Sequence, residues 1–347
     1  MDARQRARYT GSEDGVRLPR LFMLQNARIH RRVEGALTYP TVSPRRRRQE
    51  KLRKCIRYRQ LYLLLLLPVF AVFFFHYVPI YGLQIAFRKY QPSKGIWGSQ
   101  WVGLKYFIQF VNYPKFWQIM WNTLRISLYS LLTFPFPVIF AILLNDLRNG
   151  WFKRTAQMLT YAPHFISTVV LCSMTILFLN RETGVINSFV ELLGGTRKDW
   201  MAQSSLFAPI YVITDLWQNL GWNSIIYLAA LSSLSPDLLD ASYVDGANRW
   251  HILWYIYLPH LMPTVIVMLL LKMGTLASIG FEKVFLLQNT LNLDSSTVLS
   301  TYVYNLGMLK GQYSYSAAVG LFENLLNLLL VVTFNAVSRK VSDTSLW

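Results

Sequence analysis

Long apolar runs separated by short polar segments dominate the chain from about residue 60 onward. Six of these runs reach the roughly 20 residues that a helix needs to cross a bilayer. They cover about residues 61–86, 122–144, 161–179, 207–230, 261–286 and 315–337. Because the hydrocarbon layer offers no water, each run must satisfy its own backbone hydrogen bonds, which favours helices. The pattern therefore predicts an all-α integral membrane protein with six transmembrane helices.

The chain is expected to consist of a basic tail, residues 1–58, and a transmembrane domain, residues 59–347. Lys and Arg accumulate in segments that stay in the cytoplasm, and the tail carries a run from Arg45 to Arg48. We therefore expect a multi-pass protein of the cytoplasmic (inner) membrane. With six spans, both termini and the loop at 232–260 are cytoplasmic. We expect the tail to fix the orientation of the protein in the membrane and to contact lipid, rather than to bind nucleic acid.

Composition supports the membrane assignment and excludes several kinds of chemistry. Hydrophobic residues make up 53% of the chain and charged residues 15%, and the mean hydropathy is +0.28. The two cysteines, Cys55 and Cys172, lie too far apart in the predicted topology to form a disulfide. The histidines lack metal-ligand spacing, and there is no G-x-x-x-x-G-K-[ST] phosphate loop. We expect no metal or cofactor on this chain, which must draw its energy from a partner.

The loop at 232–260 contains the signals of a short helix followed by a turn. Ser235 can cap a helix, Pro236 suits its first turn, and Gly246 can adopt the left-handed conformation that ends it. A helix from about Pro236 to Asp245 is predicted. Asn248 can then cap a second helix that ends before Pro259 starts the next span.

The second helix of this loop is predicted to carry one aromatic stripe. Trp250, Leu253, Trp254 and Tyr257 follow the i, i+3, i+4, i+7 spacing of a single helix face. These side chains are expected to pack the loop against the inner ends of the spans.

Three short stretches of the loop carry a specific resemblance. Asp240-Ala-Ser, Asp245-Gly-Ala and Ile256-x-Leu-Pro stand at the spacing of the EAA motif, with Asp240 in place of the usual Glu and Ser242 in place of Ala. The chain resembles the permease subunits of binding-protein-dependent ABC importers, in the carbohydrate branch related to the maltose permease. The resemblance covers about residues 55–347 and implies a type I permease fold with cytoplasmic coupling helices. The implied ATPase-coupling residues are Asp240, Ala241, Ser242, Asp245, Gly246, Ala247 and Trp250.

The resemblance also implies the partners and the mechanism. A dimer of ABC ATPases, which holds ATP and Mg²⁺, would grip the coupling helix, with Gly246 allowing close approach and Asp240 pairing with a basic residue. A second, homologous permease subunit and an extracytoplasmic solute-binding protein would complete an alternating-access importer of saccharide. One sequence leaves open whether the permease pair is a heterodimer or a homodimer.

Polar side chains inside the predicted spans mark a candidate substrate pathway, because such groups are costly in lipid and usually face a cavity or a partner. The candidates are Arg125, Asp215, Asn219, Trp222, Asn223, Lys272, Glu282 and Asn324. Asp215 and Lys272 are the most deeply placed, and a structural ion pair explains each of them equally well. An aromatic face beside amides suits sugar rings and hydroxyls, which favours a cavity role for Asn219, Trp222 and Asn223.

The segment between the first two spans is unusually basic for an outer loop. It holds Arg88, Lys89, Lys94, Lys105 and Lys115 with no Asp or Glu. Positive potential would suit an acidic binding protein or an acidic saccharide such as alginate. Contact with lipid headgroups, or chance, explains the cations equally well.

Two other functional classes fit the pattern less well. A secondary transporter or channel that is not coupled to an ATPase would be expected to show inverted repeats and coupling-ion carboxylates. A membrane-embedded enzyme would need a convergent His, Asp or Ser constellation. The sequence shows neither feature, so an importer permease is the favoured interpretation.

Overall fold

The computed structural model describes residues 57–147 and 150–341, and the chain divides into two units at Val78. In the first unit, the described residues form α1 (Arg59–Val72), which continues as a π-helical stretch, Phe73–Tyr77. This helix contains five consecutive leucines, Leu63 to Leu67, so it is apolar on all sides there. The predicted basic tail, apart from Arg57 and Tyr58, lies outside the described residues.

The second unit, residues 79–347, begins within a 3₁₀ segment, Val78–Phe87, and a β-hairpin follows it. Strand β1 (Arg88–Gln91) pairs antiparallel with β2 (Gly95–Trp101), with Arg88 opposite Trp101. This hairpin was not expected from the sequence, because its cations obscure the strand pattern.

Helices form most of the rest of the second unit. In chain order they are α2 (Lys105–Val111), α3 (Phe116–Leu132), α4 (Pro135–Asp146), α5 (Trp151–Tyr161), α6 (Thr168–Phe178), α7 (Val185–Leu192), α8 (Phe207–Ser232), α9 (Pro236–Val244), α10 (Arg249–Ile252), α11 (Leu258–Met273), α12 (Phe281–Leu287), α13 (Leu293–Ser296), α14 (Leu299–Tyr304) and α15 (Tyr313–Val341). The all-α prediction is confirmed, with the hairpin as a small addition.

Four helical segments within the described ranges are long and apolar enough to cross a membrane. They are Arg59–Phe87, Phe116–Asp146, Arg249–Met273 and Tyr313–Lys340. Trp151–Phe165 and Thr168–Phe178 reach the required length and hydropathy only when they are taken together, and they are bent by 100° at the break between them. The 26 residues of α8 cover about 39 Å, enough to cross a bilayer, although polar side chains lower its hydropathy. Together, these segments account for each of the six predicted spans.

Two predicted spans are wrong in detail. The run at 161–179 is not one straight helix, because a 3₁₀ turn, Ala162–Phe165, precedes the sharp bend and Ser167 caps α6. The run at 261–286 is not continuous either. Its helix already starts at Arg249 and ends at Met273, and α12 is a separate element.

Pro259 does not start a new helix, contrary to the prediction. It lies inside the continuous Arg249–Met273 segment, directly after a π-helical turn, Leu253–Tyr257. The proline has no N–H to donate and its ring would crowd the carbonyl of the preceding turn. A widened π turn accommodates both effects, so the helix passes through the proline.

The helix α8 connects two hydrophobic clusters. Tyr211 and Val212 of α8 pack with Val284 of α12 in one of them, whereas Tyr227 and Leu231 pack with α4 and α11 in another. At Gly221 the helix touches α5 so closely that a Cβ there would collide with the Thr160 carbonyl oxygen. Both ends of α8, and the polar stretch between them, are thereby held in place.

Candidate functional site

The helix α9 ends in a complete Schellman motif. Gly246 has a φ of +77°. Its N–H donates to the Tyr243 carbonyl at 3.1 Å, and the N–H of Ala247 donates to the Ser242 carbonyl at 2.9 Å. The left-handed residue thus lies where the sequence predicts it. Ser235 has the backbone conformation of an N-cap, but its side chain makes no capping hydrogen bond, contrary to expectation.

No residue of α9 is buried within this chain. Val244 is 88% exposed, and Leu238 and Tyr243 are also exposed. The carboxylates of Asp240 and Asp245 have no cation within 4.0 Å among the residues that the structure describes. A short helix that shows apolar and acidic side chains on its outer surface has the character of a docking element.

The second helix of the loop anchors α9 to the membrane helices. The Asn248 side chain accepts from the His251 N–H at 2.9 Å, which caps α10 as predicted. Ile252, Tyr257 and Leu261 are then buried against α4 and α8. These buried side chains hold the start of the Arg249–Met273 span against α4 and α8.

The predicted aromatic stripe is only half correct. Tyr257 is buried and Leu253 is partly buried, but Trp250 and Trp254 are 69% and 61% exposed. The π turn contains about one residue more than a turn of α-helix. The residues on the buried face therefore no longer follow the 3.6-residue spacing of an α-helix. The two indoles instead line an apolar groove of about 560 Å³ beside α4.

A cavity of about 310 Å³ lies among α3, α4, α8 and α11. Asp215, Asn219 and Asn223 line it from successive turns of α8, and Lys272 lines it from α11. Four of the predicted pathway residues therefore come together, although they come from two different spans. We call this space the central cavity.

A second cavity of about 500 Å³ lies on the other side of Asp215. Its lining includes His164, Gln218, Glu282 and Lys283, and Asp215 and Asn219 belong to both cavities. We call this space the side cavity. Asp215 is the only one of the two shared residues that carries a charge.

A chain of polar contacts runs through Asp215. Lys283 Nζ lies 3.6 Å from Asp215 Oδ1 and 4.7 Å from the centre of the Tyr211 ring. Asn219 Nδ2 donates to Asp215 Oδ1 at 3.2 Å, and His164 Nδ1 donates to Asn219 Oδ1 at 2.9 Å. The contacts join α12, α8 and the turn before α6 across the wall between the cavities.

Lys283, and not Lys272, is the ion-pair partner of Asp215. The break between Met273 and Phe281 separates α11 from α12 and brings Lys283 back toward α8, where its side chain is 6% exposed.

Three other predicted residues have different surroundings. Arg125 donates to the Ser205 carbonyl at 2.8 Å and lies over the Tyr129 ring, outside both cavities. Trp222 stacks on His164 with ring centroids 4.3 Å apart. His164 lines the side cavity, whereas Trp222 itself does not. Glu282 is exposed at the side cavity.

Asn324 is exposed on α15 and lines neither cavity. Its neighbour Asn327 is buried instead, accepts from the Ala277 N–H at 2.8 Å and donates to Ser278 Oγ at 2.8 Å. Asn327 thus holds the break after α11. Sequence spacing alone did not show which of the two asparagines faces inward.

Two of the five cations of the basic segment, Arg88 and Lys115, make contacts that the sequence did not show. The Arg88 guanidinium lies between the Trp97 and Trp101 rings, at 5.6 and 5.5 Å, and donates to a backbone carbonyl of β2. Lys115 Nζ lies 3.0 Å from Asp294 Oδ1. The other three cations, Lys89, Lys94 and Lys105, are exposed and have no carboxylate within 4.0 Å in the described ranges.

The Lys115–Asp294 pair stays ionised over a wide pH range. Their hydrogen bond raises the pKa of Lys115 above its ordinary 10.5 and lowers the pKa of Asp294 below its ordinary 3.8. The contact is therefore lost only as the pH falls through the lowered value or rises through the raised one. Both side chains are exposed, so the ion pair contributes little to the stability of the fold.

The fold and the two sites define a helical membrane protein with a polar cavity among its helices and an exposed short helix, α9, that ends at the left-handed Gly246. The chain belongs to the family of binding-protein-dependent transport system inner membrane components, whose profile matches residues 133–343. It is therefore a multi-pass inner membrane protein and a permease component of an ABC transporter rather than an enzyme.

Two kinds of relatives show how far the similarity extends. The polygalacturonan/rhamnogalacturonan transport system permease protein YteP of Bacillus subtilis is 38% identical over 302 residues, which cover 87% of this chain and 94% of YteP. A chain of a bacterial ABC transporter involved in import of the acidic polysaccharide alginate has a TM-score of 0.77 at 33% identity, covering 84% of this chain and 99% of that chain. A bacterial alginate ABC transporter, in complex with alginate pentasaccharide-bound periplasmic protein, also has a TM-score of 0.77, at 32% identity, covering 85% of this chain and 99% of that one.

Proposed function

We propose that this chain is a permease subunit of an ATP-driven importer of acidic oligo- or polysaccharide, with alginate as one candidate substrate. The relatives named for polygalacturonan/rhamnogalacturonan and for alginate both handle acidic polymers. The central cavity supports a saccharide, because its amides and hydroxyls suit sugar hydroxyls. The solute arrives on an extracytoplasmic binding protein, as the alginate-bound periplasmic protein in the similar complex suggests.

The exposed α9 with its left-handed Gly246 is the observation that carries the proposal. A dimer of ABC ATPases, which binds ATP and Mg²⁺, grips this helix from the cytoplasm, where both termini of the chain also lie. Val244 and Leu238 supply apolar contact, and Asp240 pairs with a cation of the ATPase. This chain itself binds no cofactor.

Translocation follows from movement of the spans around the central cavity. A second, homologous permease subunit faces this one and completes the pathway. Closure of the ATPases on ATP pulls α9, and the cluster around Tyr257 transmits the motion to α4, α8 and α11. Alternating access to the central cavity results.

A substitution at Gly246 tests the docking role of α9. An ideal Cβ at this glycine meets nothing within 4 Å in this chain, so Gly246→Asp strains one turn but causes no internal clash. We expect loss of uptake and of substrate-stimulated ATPase activity, with normal membrane insertion. Gly194→Asp is the matched control, because Gly194 has a φ of +83° and equally open space but lies outside the coupling loop.

Reconstituted complex in proteoliposomes gives both measurements. The docking role is supported if Gly246→Asp falls to background while Gly194→Asp keeps most of the wild-type rate. Unimpaired transport by Gly246→Asp, or equal loss in both variants, would refute it. Uptake of alginate and polygalacturonate fragments, each with a neutral oligosaccharide for comparison, tests the substrate class in the same vesicles.

A further inference from the structure

A third polar cavity lies far from the central cavity, at the start of the Phe116–Asp146 span. It has a volume of about 290 Å³, and its lining includes Tyr113, Lys115, Gln118, Asn305 and Lys310. The loop with α9 packs against the opposite end of the same span, where Ile142 joins the cluster around Tyr257. We call this third cavity the outer pocket, because it opens at the end of the molecule away from α9.

The outer pocket differs from the other two cavities in charge. Lys115 and Lys310 contribute two positive charges and Asp294 one negative charge, which leaves a net charge of +1. In the central cavity, Asp215 and Lys272 cancel. In the side cavity, the two carboxylates of Asp215 and Glu282 outnumber the single ammonium of Lys283. Of these three cavities, the outer pocket alone is suited to an anion.

Lys310 is the cation that is available for a ligand. It is exposed and, within the ranges that the structure describes, has no carboxylate within 4.0 Å, whereas Lys115 is held by Asp294 at 3.0 Å. That ion pair persists between mildly acid and alkaline pH, so Lys115 remains engaged.

The remaining lining suits a sugar ring. Tyr113 and Tyr302 stack with their centroids 5.4 Å apart and give the pocket an aromatic wall. Gln118 Nε2 donates to the Asp294 carbonyl at 2.6 Å, which fixes that side chain and leaves its amide oxygen as an acceptor. The volume is close to the lower limit of roughly 300 Å³ for small-molecule pockets, so one ring fits better than a chain.

We propose that the outer pocket binds one uronate unit of the saccharide, with Lys310 contacting its carboxylate and Tyr113 and Tyr302 contacting its ring. This inference rests on the proposed import of acidic saccharide. It assigns recognition of the acidic group to the outer pocket, while the neutral central cavity contacts hydroxyls. The two sites would therefore select different features of one substrate.

Zero-length cross-linking locates the carboxylate directly. A carbodiimide joins a carboxylate to an amine only when the two groups are in contact. With the reconstituted importer and an oligouronate, mass spectrometry should find the saccharide on Lys310 and much less of it on Lys105, an exposed lysine outside the pocket. The carboxyl-reduced, neutral oligosaccharide should give no adduct.

Uptake by the full importer, with saturating loaded binding protein, gives the second measurement. Lys310→Gln should lower oligouronate uptake about tenfold, the effect of losing one charge-assisted contact. Lys105→Gln should leave it unchanged. ATPase activity without saccharide should be the same in both variants, which shows that each complex is assembled and folded.

The outcomes separate the two proposals. If the wild-type importer takes up no oligouronate, the proposed function fails, and this inference fails with it. If wild-type uptake occurs but Lys310 carries no adduct, or no more than Lys105, the outer pocket is overturned while the proposed function stands. Unchanged uptake by Lys310→Gln would also overturn the pocket assignment.

Discussion

Asp215 lines both the central cavity and the side cavity, and its side chain is more exposed than that of its ion-pair partner Lys283. Its own side chain is 40% exposed toward the cavities, whereas that of its partner Lys283 is 6% exposed. Asn219 also donates to the carboxylate. Removal of the lysine leaves a carboxylate that water and an amide can still solvate. Removal of the carboxylate leaves a buried ammonium beside the Tyr211 ring, with no carboxylate to neutralise it among the described residues within 4.0 Å.

This asymmetry predicts different costs for the two halves of the ion pair. Asp215→Asn should destabilise the protein by about 3–5 kcal/mol, the usual cost of stranding a buried charge, and Lys283→Met by clearly less. The double variant should recover part of the loss. Thermal unfolding in detergent measures all three, with the exposed Glu282→Gln as control. Equal losses in the two single variants would show that the pair does not hold a buried charge.

At the scale of elements, local signals predicted local structure well. Pro236, Gly246 and Asn248 indicated α9, its end and the following cap, because each acts through its own backbone. Two irregular features were missed. They are the π turn directly before the proline of the Arg249–Met273 span, and the β-hairpin in which Arg88 lies near two indoles. No sequence period encodes either feature.

The crossing of α8 and α5 gives a matched test at the same scale. Gly221→Ala should lower stability by about 1–3 kcal/mol, because the new methyl group meets the Thr160 carbonyl and forces the helices apart. Gly320→Ala in α15 has its nearest neighbour at 4.0 Å and should be neutral or gain up to about 1 kcal/mol of helix propensity. Thermal unfolding compares the two variants. A similar change in both would show that α8 and α5 do not need close approach.

For the whole molecule, hydropathy was enough to predict an all-α membrane protein, since the bilayer limits spanning elements to helices here. The permease prediction came from the EAA-like motif, and neither signal predicted how the candidate pathway residues are distributed. The structure places four of the eight candidate residues around one cavity and leaves the other four, Arg125, Trp222, Glu282 and Asn324, outside it. Which face of a helix points inward depends on neighbouring helices, and a single span's sequence does not contain that information.

Attachment of an ATPase to α9 is the central claim, and site-directed cross-linking tests it most directly. In a background with Cys55→Ser and Cys172→Ser, a cysteine introduced by Val244→Cys replaces a side chain that is 88% exposed on α9. Leu192→Cys, at a position 81% exposed on α7, is the control. We predict that a thiol-reactive cross-linker joins the assembled complex to its ATPase subunit from position 244 and not from 192. A complex that transports saccharide yet never links position 244 to the ATPase would contradict the account.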